Sequence, residues 1–264
     1  TKVAEYIQVC RQMNIPILPP DINKGEYGFS VSGGSILYAL SAIKSVGRPV
    51  IEAIVAERKE HGEYLSVKNF IERNMEAVNK RAIENFIKAG ALDCLEGNRH
   101  QKMVVFGQIV DDISRNKKQS MAGQLSLFDI ASEDEKKEFE IRMPNLEEYD
   151  KETVLSYEKE VLGIYLSGHP LDRYRNMMEK MISARTIDFQ PSDEDDREGG
   201  EPDESKVRDN QKVIIGGMIT EKNVKYTKTN KVMAFLTVED LVGTVEVMVF
   251  PRDYEKWQNM INED

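Results

Sequence analysis

The chain has 264 residues, 40% apolar and 31% charged, with a formal net charge of -10. That length exceeds one typical domain and supplies at least one buried core, so two or three small domains are expected. Cys10 and Cys94 lie far apart without a CxxC or His-rich neighbourhood, and no run nears the ~20 apolar residues of a bilayer span, which argues against a disulfide framework, a zinc site and a membrane anchor.

The charge is unevenly spread. Residues 1–118 carry 17 Lys+Arg against 14 Asp+Glu (net +3), residues 119–210 carry 12 against 24 (net -12), and residues 211–264 carry 7 against 8 (net -1). Phosphate binding depends on basic groups within a Debye length of ~8 to 10 Å, so a distant acidic stretch does not veto a nucleic-acid surface near the N-terminus. The opening at Thr1, without an initiator Met or signal peptide, is expected to lie inside a longer protein, and the cysteine usage suits a reducing cytoplasm.

In chain order, Val3 to Met13 reads as the end of a helix, broken by the extended stretch Ile15 to Pro20. Ile36, Leu37, Leu40 and Ile43 fall on one helical face, and after a turn at Ser45 to Gly47 a helix starts near Pro49 with Ile51, Ile54, Val55 and Arg58. Ser66, Asn79 and Asn98 are placed to cap three further helices, and Gly90 stands where a left-handed C-terminal residue belongs. Lys151 to Leu166 is a helix stopped by Gly168-His169-Pro170. Gln190 to Asn210 is dominated by Asp, Glu, Gly and Pro and reads as a solvated linker. Beyond it the period becomes two: Val213 to Ile219, Val232 to Val238 and Thr244 to Phe250 read as strands, and Asp253 to Ile261 as a helix.

Three constellations point to function. The stretch Ile43 to Arg58 looks like a helix-hairpin-helix motif, in which a tight turn entering a helix N-terminus aims backbone N–H groups and the helix dipole at a DNA phosphate, whatever the base sequence. Its candidate DNA-binding residues are Lys44, Ser45, Val46, Gly47 and Arg48; Ser45 stands where the motif usually has its first Gly, and an ordinary αα-hairpin is the competing reading. A second unit, Asn79 to Asp93, adds Lys80 and Arg81, which would otherwise be a solvated helix face. The second constellation is Gln124, Leu125, Ser126, Leu127 and Phe128, an apolar island in a polar connector suited to docking in a partner's pocket or packing back on its own domain. The third is the strand set, with Lys225, Tyr226, Lys228 and Lys231 near its first turn, suited to a single-strand groove or to a basic tip that keeps an edge soluble. His61, His100 and His169 stand too far apart in sequence to suggest a triad or ligand set, and Asp193 to Asp196 reads as solvated charge.

Ile17 to Asn23, Ala42 to Gly47, Val78 to Arg81, Ala89 to Asp93, Glu160 to Asp172, Met233 to Asp240 and Gly243 to Phe250 together resemble the C-terminal half of the bacterial replicative polymerase family, DNA polymerase III alpha subunits. The resemblance implies an α+β chain: a helical helix-hairpin-helix domain, a linker and a partial OB-fold β-domain. It divides the chain into an end of fingers region (1–35), a tandem helix-hairpin-helix domain (36–116), a connector with a clamp-binding motif (117–150), a helical segment (151–189), an acidic linker (190–210) and a partial OB-fold (211–264). The expected partners are double-stranded DNA, the bacterial sliding clamp (beta subunit) through Gln124 to Phe128, template single strand through Lys225, Tyr226, Lys228 and Lys231, and other replisome subunits. No catalytic residue, metal or cofactor is expected in this piece; Mg2+ and the nucleotidyltransferase site of the DNA-directed polymerase would lie upstream of Thr1. The alternatives are a protein-interaction scaffold that never touches DNA, and a hairpin-helix repair nuclease or glycosylase, for which no carboxylate cluster is found.

Overall fold

A computed structural model describes residues 13–121, 142–189 and 206–263, with Val3, Tyr6, Ile7, Val9 and Cys10 before them and side chains only to Lys117 in the first long stretch. Among these the fold is mixed, a helical region followed by a small antiparallel sheet. It falls into two compact units, Cys10–Gly168 and His169–Asp264, the latter grouped with Thr1–Val9. Five of the eleven residues of the expected helix Val3 to Met13, the island Gln124 to Phe128 and most of the acidic linker lie outside the described residues.

The first unit opens with a small mixed sheet: β1 (Ile17–Leu18) runs parallel to β3 (Ser35–Leu37), and β2 (Ser30–Ser32) pairs antiparallel to β3. This corrects the helix expected over Ile36 to Ile43, which is strand to Leu37 and then a single 3-10 turn, Leu40–Ala42. The cause is Gly33-Gly34, at φ +57° and +79°, which makes the two-residue turn that suits twisted strands and closes the pair Ser32 with Ser35.

Four helices follow in this stretch: α1 (Arg48–His61), α2 (Val67–Asn74), α3 (Lys80–Lys88) and α4 (Arg99–Met121). Their starts are where the polar caps put them. Ser66 Oγ accepts the Asn69 N–H at 3.0 Å and Asn79 Oδ1 the Ala82 N–H at 2.9 Å. Asn98 and Gln101 form a reciprocal box, Gln101 N–H to Asn98 Oδ1 at 2.8 Å and Asn98 N–H to Gln101 Oε1 at 2.9 Å. The helices enclose Ile51, Ile54, Phe70, Ile71, Ile83, Phe86 and Ile87, each at most 1% exposed. Phe70 meets Tyr64 and Phe86 edge-on at 5.1 and 5.9 Å, so the centre is an interlocked aromatic cluster.

The turn after β1 is tied to α1 by Arg58, whose Nη1 donates to the carbonyls of Ile22 (2.7 Å) and Gly25 (2.8 Å). Asn23 makes two bonds with the backbone of Tyr64, Nδ2 to its carbonyl at 2.9 Å and its N–H to Oδ1 at 2.8 Å. Helix α5 (Lys151–Leu162) returns to the same unit and stops earlier than expected, at Gly163 with φ +77°; the local left-handed glycine prevails over the stop sequence at residues 168–170.

The second unit has a 3-10 turn Pro170–Tyr174, helix α6 (Arg175–Met181), a 3-10 turn Thr186–Phe189, and a meander of β4 (Met218–Tyr226), β5 (Val232–Glu239) and β6 (Thr244–Val249), closed by α7 (Pro251–Trp257). Strand β4 begins at Met218 where a strand from Val213 was expected: the space a Cβ on Gly217 would need lies 2.6 Å from the Glu239 carbonyl, so the chain enters the sheet as bare backbone. Ala234, Leu236, Val238 and Tyr254 form the core on one face of the sheet.

Candidate nucleic-acid interface

The turn from Ile43 to Arg48 is shaped by Ser45, at φ +62°, which takes the left-handed conformation usually left to glycine. Val46 turns inward to 8% exposure and anchors the turn, while Lys44, Ser45, Gly47 and Arg48 face solvent. Gly47 is the N-cap of α1 and Pro49 stands in its first turn, where a missing N–H is harmless.

The amide inventory decides what this turn can bind. Lys44 N–H donates to the Val161 carbonyl at 2.8 Å and Val46 N–H to the Ile43 carbonyl at 3.3 Å. The N–H groups of Ser45, Gly47 and Arg48 have no acceptor among the described residues. Three N–H donors thus stand unpaired at or just before the start of a 14-residue helix, the end at which the dipole favours an anion.

Two long-range contacts hold the turn in this shape. Asn85 on α3, 7% exposed, donates from Nδ2 to the Lys44 carbonyl at 2.7 Å, and Val161 near the end of α5 receives the Lys44 N–H. Arg81 precedes Asn85 by four residues and so shares its face of α3, about 6 Å along the axis.

The cations differ in availability. Lys44 and Arg81 have no side-chain partner among the described residues. Arg48 donates to Glu52 at 2.7 Å and lies over the Tyr27 ring, 4.9 Å from its centroid; the Glu52 carboxylate holds its already high pKa higher still. Lys80 is paired with Asp111 at 2.6 Å. Both pairs are exposed, so water and phosphate compete for these cations at little cost.

The second turn, Met75 to Asn79, is different. Ala77 and Val78 N–H groups both return to the Asn74 carbonyl, at 3.0 and 2.9 Å. A cavity of about 410 Å³ beside it is walled by Glu57, Glu72, Glu76, Arg73 and Lys117. Arg73 is spent on Glu57 at 3.0 Å and Lys117 on Glu76 at 2.7 Å, which holds the carboxyls of Glu57 and Glu76 below the usual range. The Ala77 and Val78 amides of this turn are therefore already used, unlike those of Ser45, Gly47 and Arg48 in the first.

In the second unit Lys225, Tyr226, Lys228 and Lys231 gather at the β4–β5 turn, shaped by Asn230 at φ +57° and the Thr227 N–H to Lys231 carbonyl bond at 2.8 Å. Tyr226 is 71% exposed and Lys225 Nζ lies 4.8 Å from the Phe235 ring centroid. Residue-by-residue reading of the sequence missed Asn85, Val161 and Tyr27. Asn85 reads there as a polar residue inside an amphipathic helix; its place beside Phe86 and two residues after Ile83 was the one hint in the sequence.

Among the described residues there is no group of three or more His, Cys, Asp or Glu able to hold a metal ion, and no helix is long and apolar enough to cross a membrane.

A family model described as a helix-hairpin-helix motif matches residues 14–102, which include the first turn, α1, α2 and α3, so the chain carries a helix-hairpin-helix segment. It is 38% identical over 268 residues to the DNA polymerase III subunit alpha of Thermus aquaticus, 34% over 265 to that of Chlamydia pneumoniae and 31% over 265 to that of Vibrio cholerae. Each match covers 100% of this chain and 20%, 20% and 22% of the relative. The chain is therefore homologous along its whole length to a segment of DNA polymerase III alpha subunits, and it spans about a fifth of their length.

Proposed function

We propose that this segment holds duplex DNA by its backbone beside the synthesis site of a replicative polymerase, and that it ties that polymerase to the sliding clamp for processive synthesis. The observation that carries the DNA reading is the first turn: three unused N–H groups at a helix start, with the unpaired Lys44 and the exposed Arg48 in the same turn. Backbone donors contact phosphate without reading bases, which is what a polymerase that must pass over every sequence requires.

Clamp binding is assigned to Gln124, Leu125, Ser126, Leu127 and Phe128, which lie outside the described residues; the support is their match to the clamp-binding motif and the homology above. The β4–β6 meander with α7 is the front of an OB-fold, with Lys225, Tyr226, Lys228 and Lys231 on single-stranded template. Other replisome subunits are further partners, the site of action is the cytoplasm, and Mg2+ with the nucleotidyltransferase centre belongs to the remainder of the polymerase. The domain limits given above are part of the same proposal.

The test is salt-dependent DNA binding. The chain should bind duplexes of different sequence equally, with log affinity falling against log salt by about 0.9 per phosphate neutralised. Lys44→Glu with Arg48→Glu should abolish binding at moderate salt; unchanged binding would leave a protein-interaction scaffold as the better reading.

A further inference from the structure

Beside the first turn an apolar stripe stands uncovered. Tyr27 is 40% exposed, Phe29 52% and Val31 79%. β2 is the edge of its sheet, in the order β1-β3-β2, and on it Val31 lies opposite Ile36. Phe29 meets Tyr38 edge-on, with ring centroids 4.9 Å apart and planes at 79°; Tyr38 is 2% exposed, so the Phe29 ring is set against a fixed support. Val31 lies on the edge strand and Phe29 just before it, and an exposed apolar stripe of this kind is the mark of an interaction surface.

The stripe is continuous with the phosphate receptor. The Tyr27 carbonyl accepts the Ser41 N–H at 3.1 Å, two residues before Ile43, and the Tyr27 ring lies under Arg48. The acids alongside are already neutralised: Glu26 by Arg58 and Lys59, both at 3.2 Å, and Glu52 by Arg48. The ligand that fits is an anion along its backbone and a flat apolar surface between its charges.

We propose that Tyr27, Phe29 and Val31 form a stacking platform for unpaired bases of a DNA strand whose phosphate sits in the first turn. The proposal rests on the hairpin reading above and adds a preference: duplex with a single-stranded overhang over blunt duplex. Aromatic rings stack on any base, so the platform is as indifferent to sequence as the backbone donors beside it.

The experiment is fluorescence anisotropy of the whole chain with a blunt duplex and with the same duplex carrying a short poly-dT overhang. The overhang should tighten binding about tenfold, in line with one stacked base. Phe29→Ala should lose that gain and keep blunt-duplex binding, whereas Phe29→Trp should retain it. Placed in a Trp257→Phe background, Phe29→Trp is also the sole tryptophan, and its emission should quench with the overhang and not with blunt DNA. This reporter decides the matter if Phe29→Ala does not fold. Equal affinity for the two DNAs would overturn the platform. So would a gain that survives Phe29→Ala, which would assign it to the Lys225 to Lys231 tip, or self-association through the stripe without an overhang preference. Failure of the hairpin reading is distinct: blunt-duplex binding would then survive Lys44→Glu with Arg48→Glu.

Discussion

Asn85→Ala tests whether the first turn is a preformed receptor. The substitution removes the 2.7 Å bond to the Lys44 carbonyl from a residue that is 7% exposed. An unsatisfied, half-buried carbonyl costs about 1 to 3 kcal/mol, and the better helix propensity of Ala returns up to about 0.7 kcal/mol. The net loss is about 1 to 2 kcal/mol, a fall of several degrees in Tm for a unit of this size at about 2 to 4 °C per kcal/mol. Circular-dichroism melts measure that part. DNA binding measures the other: all the cations remain, so affinity should drop at every salt concentration while the log-log salt slope stays constant. Lys44→Gln, by contrast, should flatten the slope by about 0.9. Unchanged Tm and affinity in Asn85→Ala, or an altered slope, would refute the idea that this side chain acts by holding the backbone.

Glu52→Gln should tighten DNA binding about twofold at low salt, because an exposed i,i+4 pair no longer competes for Arg48; titration at two ionic strengths checks it. Lys102 is 0% exposed and its Nζ has no hydrogen-bond partner among the described residues; burial pushes its pKa down, so Lys102→Met should raise the Tm of the first unit. The folded pKa lies below the unfolded one, so the native protein gains stability as pH rises from the folded towards the ordinary lysine value, and the advantage of Lys102→Met should shrink over that window in urea melts. Asp240, 5% exposed, accepts from Thr186 N–H (2.8 Å) and Oγ1 (2.7 Å) and from the N–H groups of Val242 (2.8 Å) and Gly243 (2.9 Å); Asp240→Ala should cost about 3 to 5 kcal/mol in the second unit, read as lost hydrogen-exchange protection in β5. Replacing Gln124, Leu127 and Phe128 together with Ala should abolish clamp capture in surface plasmon resonance and leave Tm unchanged; a lowered Tm with clamp capture intact would mean the island is core.

What the sequence discloses here is what depends on near neighbours. Ser66, Asn79 and Asn98 cap helices because their oxygens reach an N–H three residues on, and Gly90 turns left-handed at φ +78° because nothing else is needed there. Ile36, Leu37, Leu40 and Ile43 misled because their spacing suits a helix face, and only the Gly33-Gly34 turn favours the strand that forms. Arg58 read as a helix residue, yet its guanidinium fastens the turn after β1 from 33 and 36 residues away. For the candidate site, the basic residues and the turn were legible. Which amides stay free was not, since that depends on Val161, far along the chain.

That bond between Lys44 and Val161 spans 117 residues of sequence. A helix-hairpin-helix turn looks like a short, portable cassette, but one of the two contacts that hold this one comes from chain made much later. During synthesis the receptor cannot be complete until α5 has left the ribosome, and a dissection that cuts at residue 116 or 150 would produce a hairpin lacking one of its two fasteners. Weak DNA binding by such a truncated piece would report the missing acceptor rather than the chemistry of the turn.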